Sequence, residues 1–261
     1  MSLPRIWQWP NLLAIDAALI ALAWQETLAS RAEFDLSPAA RLVLALSVWL
    51  SYMADRLFDV ANRPATQLRS IRHRFAKKHA RKLWAIWVVT LTTNLILAFG
   101  HLETIQLRNG SVLLALCLLY TALNQSYSRN FFPKEICVAI IFAGGAIVFL
   151  PPPFPWLATG TLALLCLTNC LMIGSKERAI DAAMQVRSMA QWPSKLILLS
   201  WLATGLPLFL LDAQLTLALS LSLGALLIIQ TRQAPLKVES FRILTDTALL
   251  IGPAGAWIWQ I

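Results

Sequence analysis

The sequence has few charged residues and few cysteines. Charged side chains make up only 13% of its 261 residues, whereas hydrophobic side chains make up 58%, and the mean hydropathy is +0.64. This composition excludes an ordinary soluble domain and is typical of a protein that crosses a membrane several times. Every cysteine lies in an apolar stretch, so the spacing predicts neither a zinc site nor an extracellular disulfide framework. The cysteines are Cys117, Cys137, Cys166 and Cys170.

Apolar stretches of about 20 residues follow one another along the chain and predict nine transmembrane spans. Because a helix satisfies its own backbone hydrogen bonds in lipid, we expect an all-α polytopic membrane protein. Residues 1–261 then form a single transmembrane domain. The predicted spans are residues 11–29, 37–59, 82–100, 111–127, 134–150, 156–177, 194–211, 213–231 and 240–259.

Lysine and arginine are distributed unevenly between the two sides that these spans define. Of the 22 basic residues, 19 lie on the side of the N-terminus and three on the other side. This asymmetry predicts a cytoplasmic N-terminus and a C-terminus on the far side of the membrane. It also accounts for the net charge of +9 without a nucleic-acid partner, because basic cytoplasmic loops meet anionic membrane lipids. A bacterial inner (plasma) membrane is favoured, and an organelle membrane stays open.

Two acidic pairs lie at the ends of the second and sixth predicted spans. Asp55 and Asp59 form the first pair, and Glu177 and Asp181 form the second. Each pair has i, i+4 spacing, so a helix presents both of its carboxylates on one face. Each member of the first pair lies 122 residues before its counterpart in the second.

The equal offset predicts two four-helix halves in parallel orientation, with the ninth helix outside the repeat. The halves are residues 11–127 and 134–231, and the ninth helix is residues 240–259. Two longer cytoplasmic loops, residues 60–81 and 178–193, follow the acidic pairs and are expected to cap the site. We therefore expect a central cavity that opens near the cytoplasmic side.

Carboxylates at a membrane boundary are costly unless they are paired or bind cations. Because Mg²⁺ prefers oxygen ligands and commonly binds carboxylates together with substrate phosphates, the two pairs predict a divalent metal that holds a polyanion. The alternative is a helix-end cluster that neighbouring arginines such as Arg63 neutralise. Lys134, on the same side, is placed to neutralise phosphate charge, or else marks the membrane boundary as a snorkelling lysine.

Two further features leave alternatives open. The basic segment 69–82 forms either a short amphipathic helix over the site or an anchor for lipid headgroups. Asp16 and Asp246 lie within predicted spans, where acids are functional candidates. They can equally hydrogen-bond within the helix bundle, and we assign them no catalytic role at this point.

The acidic pairs belong to longer patterns. The first reads Ser51-x3-Asp55-x3-Asp59, followed by Asn62-Arg63-Pro64, and the second reads Asn169-x3-Ile173-x3-Glu177-x3-Asp181, followed by Arg187-Ser188. With these patterns the sequence resembles the UbiA superfamily of intramembrane prenyltransferases. That family's first motif is Asn-x3-Asp-x3-Asp, and its second is commonly Asp-x3-Tyr-x3-Asp-x3-Asp.

The sequence departs from the family at several positions. Ser51 replaces an asparagine, Glu177 replaces an aspartate, and Asn169 and Ile173 replace a carboxylate and a phenol. Lys134 resembles the lysine of the family's Tyr-x3-Lys pattern, although Tyr127 is the nearest tyrosine before it.

The resemblance implies the Mg²⁺-dependent transfer of an isoprenyl group, from an isoprenyl diphosphate to a hydrophobic, aromatic acceptor in the membrane. It implies metal ligands and catalytic residues at Asp55, Asp59, Glu177 and Asp181, with Lys134 as a further catalytic residue. It implies substrate-binding residues at Ser51, Arg63, Tyr127, Asn169 and Arg187. The lipid tail is expected to contact Phe142, Leu165 and Met172.

Three other functions stay open on the same scaffold. One is a terpene cyclase, which needs no acceptor. Another is a transporter or lipid-binding protein whose acids carry protons or cations, although transport sites tend to lie near the middle of the membrane. The last is a non-catalytic relative that acts as an assembly partner.

Overall fold

The computed structural model describes residues 5–61, 63–127, 132–187, 189 and 195–259. Within these ranges all regular secondary structure is helical, which confirms the all-α prediction for the part of the chain described. Short 3-10 turns occur at Ile6–Gln8, Ala65–Gln67 and Leu206–Leu210. The α-helices are α1 (Trp9–Leu12), α2 (Ile15–Arg31), α3 (Pro38–Ala61), α4 (Ile71–His101), α5 (Thr104–Tyr127), α6 (Lys134–Ile147), α7 (Trp156–Ala183), α8 (Lys195–Gly205), α9 (Ala213–Thr231) and α10 (Val238–Trp259).

Several of these helices have the length and composition of membrane spans. Among the described residues, α4, α5, α7 and α9 are long and apolar enough to cross a membrane, and the bent segment Ile6–Arg31 makes a fifth span if its two parts are counted together. These are the helices of an integral membrane protein. The full count of nine spans and the division into two halves stay predictions.

Helices α2 and α7 lie at the centre of the bundle. α2 packs against α3, α6, α9 and α10, and α7 packs against α6, α8, α9 and α10. Their facing side chains form the hydrophobic core, in which Trp24 and Leu162 are almost fully buried. By contrast, α4 and α5 expose large apolar side chains such as Ile96 and Leu118, as expected of helices that face lipid.

The first predicted span is broken rather than continuous. Ala14 adopts a left-handed conformation with a φ of 58°, and the chain bends by 75° between the segments Ile6–Leu12 and Ile15–Arg31. Two side chains of α3 fix this bend. Arg56 Nη1 donates to the carbonyl oxygen of Asn11 at 2.6 Å, and Trp49 Nε1 donates to that of Leu13 at 2.9 Å.

Helices extend into both of the loops predicted to cap the site. α4 begins at Ile71, and Ser70 caps it by accepting a hydrogen bond from the His73 amide. The basic segment 69–82, which includes the second half of the predicted loop 60–81, therefore mostly forms the first turns of α4, in line with the helical alternative for this segment. Similarly, α7 continues to Ala183. Hydropathy locates only the apolar part of a helix, whereas the backbone hydrogen bonds continue into its polar end.

Candidate active site

A polar cavity of about 210 Å³ lies among α1 to α7 and α10. Both acidic pairs line this cavity, although they are far apart in sequence. The prediction that the two pairs lie at one site therefore agrees with the structure. The charged and hydrogen-bonding residues around them are Asn11, Asp16, Tyr52, Arg56, Arg72, His73, Tyr120, Lys134, Glu135, Asn169, Arg242 and Asp246.

The first acidic pair has only long contacts with neighbouring polar groups. Asp59 lies 3.7 Å from Arg63 Nη1 and 3.9 Å from His73 Nε2. Asp55 Oδ1 accepts a hydrogen bond from Asn124 Nδ2 at 3.5 Å, the limit for such a bond. Since the two carboxylates lie one helical turn apart on α3 and both face the cavity, they are available to bind a cation.

The members of the second pair have different environments. Glu177 accepts a hydrogen bond from Arg242 Nε at 2.6 Å, a second from Arg242 Nη2, and a third from Arg72 Nη2 at 3.1 Å. Two guanidinium groups thus neutralise this buried carboxylate. Asp181 Oδ2 lies 3.9 Å from Lys134 Nζ, which is too long for a hydrogen bond. In lacking a close cationic partner, Asp181 therefore resembles Asp55 and Asp59 more than it resembles Glu177.

The carboxylates do not form a complete metal site by themselves. Among the described residues, no three His, Cys, Asp or Glu side chains are grouped closely enough to hold a metal ion. This arrangement still suits Mg²⁺, which is usually bound by one or two carboxylates together with phosphates and water. Asp55, Asp59 and Asp181 fit this role directly, whereas Glu177 would have to release an arginine. The ligand set stays a prediction.

The predicted substrate-binding residues are divided between several places. Asn169 lines the polar cavity, and Arg63 lies beside it through its contact with Asp59. Ser51 lines a neighbouring apolar cavity. Tyr127 and Arg187 are exposed at the ends of their segments, and neither lines these two cavities. Two residues of the quoted motifs, at positions 62 and 188, lie outside the described residues.

The apolar cavity has a volume of about 140 Å³ and adjoins the polar one. Phe142 lines both cavities, as the predicted path of the lipid tail requires. Leu165 and Met172, also expected on that path, are instead fully buried in the hydrophobic core. The residues common to both cavities are Tyr52, Asp55, Tyr120, Val138 and Phe142.

Sequence reasoning missed the arginines of the site. Arg56, Arg72 and Arg242 all line the polar cavity. From the sequence, they were interpreted only as basic residues that mark the cytoplasmic side of the membrane. One signal was present, because Arg242 and Asp246 have i, i+4 spacing at the start of the last span. Oppositely charged residues on one face of a membrane helix indicate a polar interior rather than a loop.

No protein-family model matches the sequence, and no curated protein matches it. A solved structure does match, namely the apo structure of a UbiA homolog from Aeropyrum pernix K1. The match has a TM-score of 0.67 at 18% sequence identity and covers 95% of this chain and 99% of the homolog. The resemblance to UbiA proteins that the acidic motifs indicated is therefore confirmed at the level of the fold, and the chain has the fold of a UbiA homolog.

Proposed function

We propose that this protein is an intramembrane prenyltransferase of the UbiA type. It transfers an isoprenyl group from an isoprenyl diphosphate to a hydrophobic, aromatic acceptor, with Mg²⁺ as the cofactor. The observation that carries the proposal is that the two cavities adjoin and share lining residues. Asp55 lines both a polar cavity with acidic and basic side chains and an apolar cavity that suits a lipid tail.

The polar cavity offers positive charge for a diphosphate. Lys134 and Arg72 both line it, and Arg72 Nε is buried without a hydrogen-bond partner. A buried guanidinium donor that lacks a partner is costly, and a phosphate oxygen would satisfy it. Because Glu177 accepts its hydrogen bond from Nη2 of the same guanidinium, it holds Arg72 in position for this contact.

The carboxylates of the cavity require a cation if a diphosphate is to bind beside them. Asp55, Asp59 and Asp181 would hold Mg²⁺, and Glu177 would join them only after releasing an arginine. When bound, Mg²⁺ neutralises phosphate oxygens and so stabilises the leaving diphosphate. Lys134, whose ammonium lies 3.9 Å from Asp181, adds positive charge at the same place.

The apolar cavity provides the environment that an allylic carbocation needs. Tyr52, Tyr120 and Phe142 form part of the wall between the two cavities. Aromatic rings are favourable neighbours for positive charge, and the apolar lining limits access of water to the cation. A hydrophobic acceptor reaches this position from the surrounding lipid. Such a route is consistent with an enzyme that lies in the predicted bacterial inner membrane.

The decisive experiment measures diphosphate release by the purified protein with a series of labelled isoprenyl diphosphates. We expect release that requires Mg²⁺ and stops when EDTA is added. Asp55→Asn and Asp181→Asn should each abolish it. Asp35→Asn is the matched control, because the Asp35 side chain is 97% exposed and lies outside the cavity.

Several outcomes would contradict the proposal. Release that persists in EDTA would exclude the metal-dependent reaction. No release with any isoprenyl diphosphate would exclude the enzyme and favour a non-catalytic membrane protein. A cyclic hydrocarbon formed without any acceptor would identify a terpene cyclase on the same fold.

A further inference from the structure

A second polar cluster lines the same cavity at a distance from the two acidic pairs. Asn169 lies eight residues before Glu177 on α7, which corresponds to about 12 Å along the helix towards the apolar part of the span. Around it are Asp246 of α10, Asp16 of α2 and Asn11 of α1, all of which line the cavity. The sequence motifs do not include the last three residues.

Hydrogen bonds join the four side chains of this cluster. Asn11 Nδ2 donates to Asp16 Oδ2 at 2.6 Å and to Asp246 Oδ2 at 3.2 Å, so one amide bridges two carboxylates. Asn169 Nδ2 donates to Asp246 Oδ1 at 3.1 Å. The bend at Ala14 makes the bridge possible, because it turns α1 so that Asn11 reaches α10.

One strong hydrogen-bond acceptor in the cluster has no partner. Asn169 is only 6% exposed, and its Oδ1 makes no hydrogen bond. An unsatisfied buried carbonyl oxygen is destabilising, so its presence beside a cavity points to a ligand that donates a hydrogen bond. The neighbouring carboxylates of Asp16 and Asp246 are hydrogen-bond acceptors as well, so an anionic group without a hydrogen to donate satisfies none of these atoms.

We propose that Asn169, Asp246 and Asp16 form the subsite for the polar group of the acceptor substrate. This group is a neutral or cationic hydrogen-bond donor, such as a hydroxyl or an amine, rather than a carboxylate. This inference rests on the proposed prenyl transfer. It concerns the chemical class of the acceptor's polar group, which the acidic motifs and the fold do not specify. A hydroxyl satisfies Asn169 Oδ1 or a carboxylate oxygen, whereas a carboxylate has no hydrogen to donate to any of these acceptors.

The test compares the binding of two probes that share one ring system, naphthol and naphthoate. Calorimetry on the full chain in lipid nanodiscs measures their affinities in the absence of isoprenyl diphosphate. We expect naphthol to bind and naphthoate to bind at least tenfold more weakly. Asp246→Asn, which keeps the shape of the side chain, should weaken naphthol binding about tenfold and reduce the discrimination against naphthoate, because a charged acceptor becomes neutral.

Asp16→Asn provides a second, independent variant that should change the discrimination in the same direction, and Asp35→Asn should change nothing. Thermal unfolding of each variant separates weaker binding from loss of the fold. Equal affinity for the two probes, or unchanged discrimination in both Asp16→Asn and Asp246→Asn, would overturn the proposal.

The diphosphate-release assay distinguishes this inference from the proposed function. Asp246→Asn should raise the KM for naphthol in the transfer reaction more than it raises the KM for the isoprenyl diphosphate, whereas the exposed Asp35→Asn control should leave both unchanged. If the unsubstituted protein selects naphthol but never releases diphosphate, the prenyl-transfer proposal fails and the subsite stands. If it releases diphosphate but does not select naphthol, the subsite fails and prenyl transfer stands.

Discussion

Arg242 donates two hydrogen bonds to a single carboxylate oxygen of Glu177. Its Nε lies 2.6 Å from Glu177 Oε1, and its Nη2 contacts the same atom. The two residues are 3% and 5% exposed, and they join α10 to α7. A buried ion pair of this kind connects the second acidic motif to the last helix of the bundle.

Removal of one partner of this pair should destabilise the protein strongly. Arg242→Met leaves Glu177 buried with Arg72 as its remaining cation, and we expect a loss of about 3 kcal/mol. Glu177→Leu combined with Arg242→Met should recover a large part of this loss, because the buried carboxylate is removed together with Arg242 and only the partly exposed Arg72 loses a partner. Unfolding of the single and double variants in detergent measures the coupling. Strictly additive effects would show that the two residues do not interact.

Gly252 is expected to tolerate no side chain. A Cβ at this position would lie 1.9 Å from the carbonyl oxygen of Ala218 and 2.6 Å from Ser222 Oγ, where α9 and α10 are in close contact. Gly252→Ala should therefore force the helices apart and cost about 1–3 kcal/mol. Gly224→Ala is the control, because no atom lies within 4 Å of its added Cβ. Equal melting temperatures for the two variants would contradict this packing.

Lys134 is expected to act in the chemical step. Lys134→Met removes a positive charge beside Asp181, so kcat for diphosphate release should fall about 100-fold, as for the loss of one group that stabilises the transition state. Lys237→Met is the matched control, because Lys237 is exposed in the segment before α10. Steady-state kinetics with one isoprenyl diphosphate measure both variants. A rise in KM with unchanged kcat would assign Lys134 to substrate binding alone.

Cys117 should report on occupancy of the apolar cavity. Its side chain lines this cavity and is half-buried, whereas the half-buried Cys137 lines neither cavity. In variants that retain only one of these cysteines, an isoprenyl diphosphate with Mg²⁺ should slow the reaction of Cys117 with a lipid-soluble maleimide and leave Cys137 unaffected. Mass spectrometry of the labelled protein measures the rates. Equal protection of both thiols would place the lipid tail elsewhere.

The sequence predicted the carboxylates better than it predicted their partners. Asp55, Asp59, Glu177 and Asp181 were recognisable because i, i+4 spacing is a local property of a helix. Arg72 and Arg242 were not, because each of them lies far from Glu177 in the sequence and belongs to a different helix. Lysine and arginine are common in the cytoplasmic loops of membrane proteins, where they determine orientation. The presence of an arginine near a membrane boundary therefore does not distinguish a binding site from a loop.

The same contrast between local sequence properties and contacts between helices explains which helix boundaries were predicted wrongly. Hydropathy located the apolar centre of most helices and predicted residues 213–231 as they occur in α9. It failed at polar ends, where α4 begins at Ile71 and α7 continues to Ala183, because a helix does not end where its side chains become charged. It also failed at the bend near Ala14, which depends on hydrogen bonds from the side chains of Arg56 and Trp49 on another helix.

The amino-acid sequence by itself determined that this is a helical membrane protein with two acidic pairs on helix ends. These properties follow from composition and from spacing along one helix. Only the tertiary structure decided which carboxylates are neutralised and which face the cavity without a close partner. That outcome depends on helix packing, which places Arg242 against Glu177 and bends α1 so that Asn11 bridges Asp16 and Asp246.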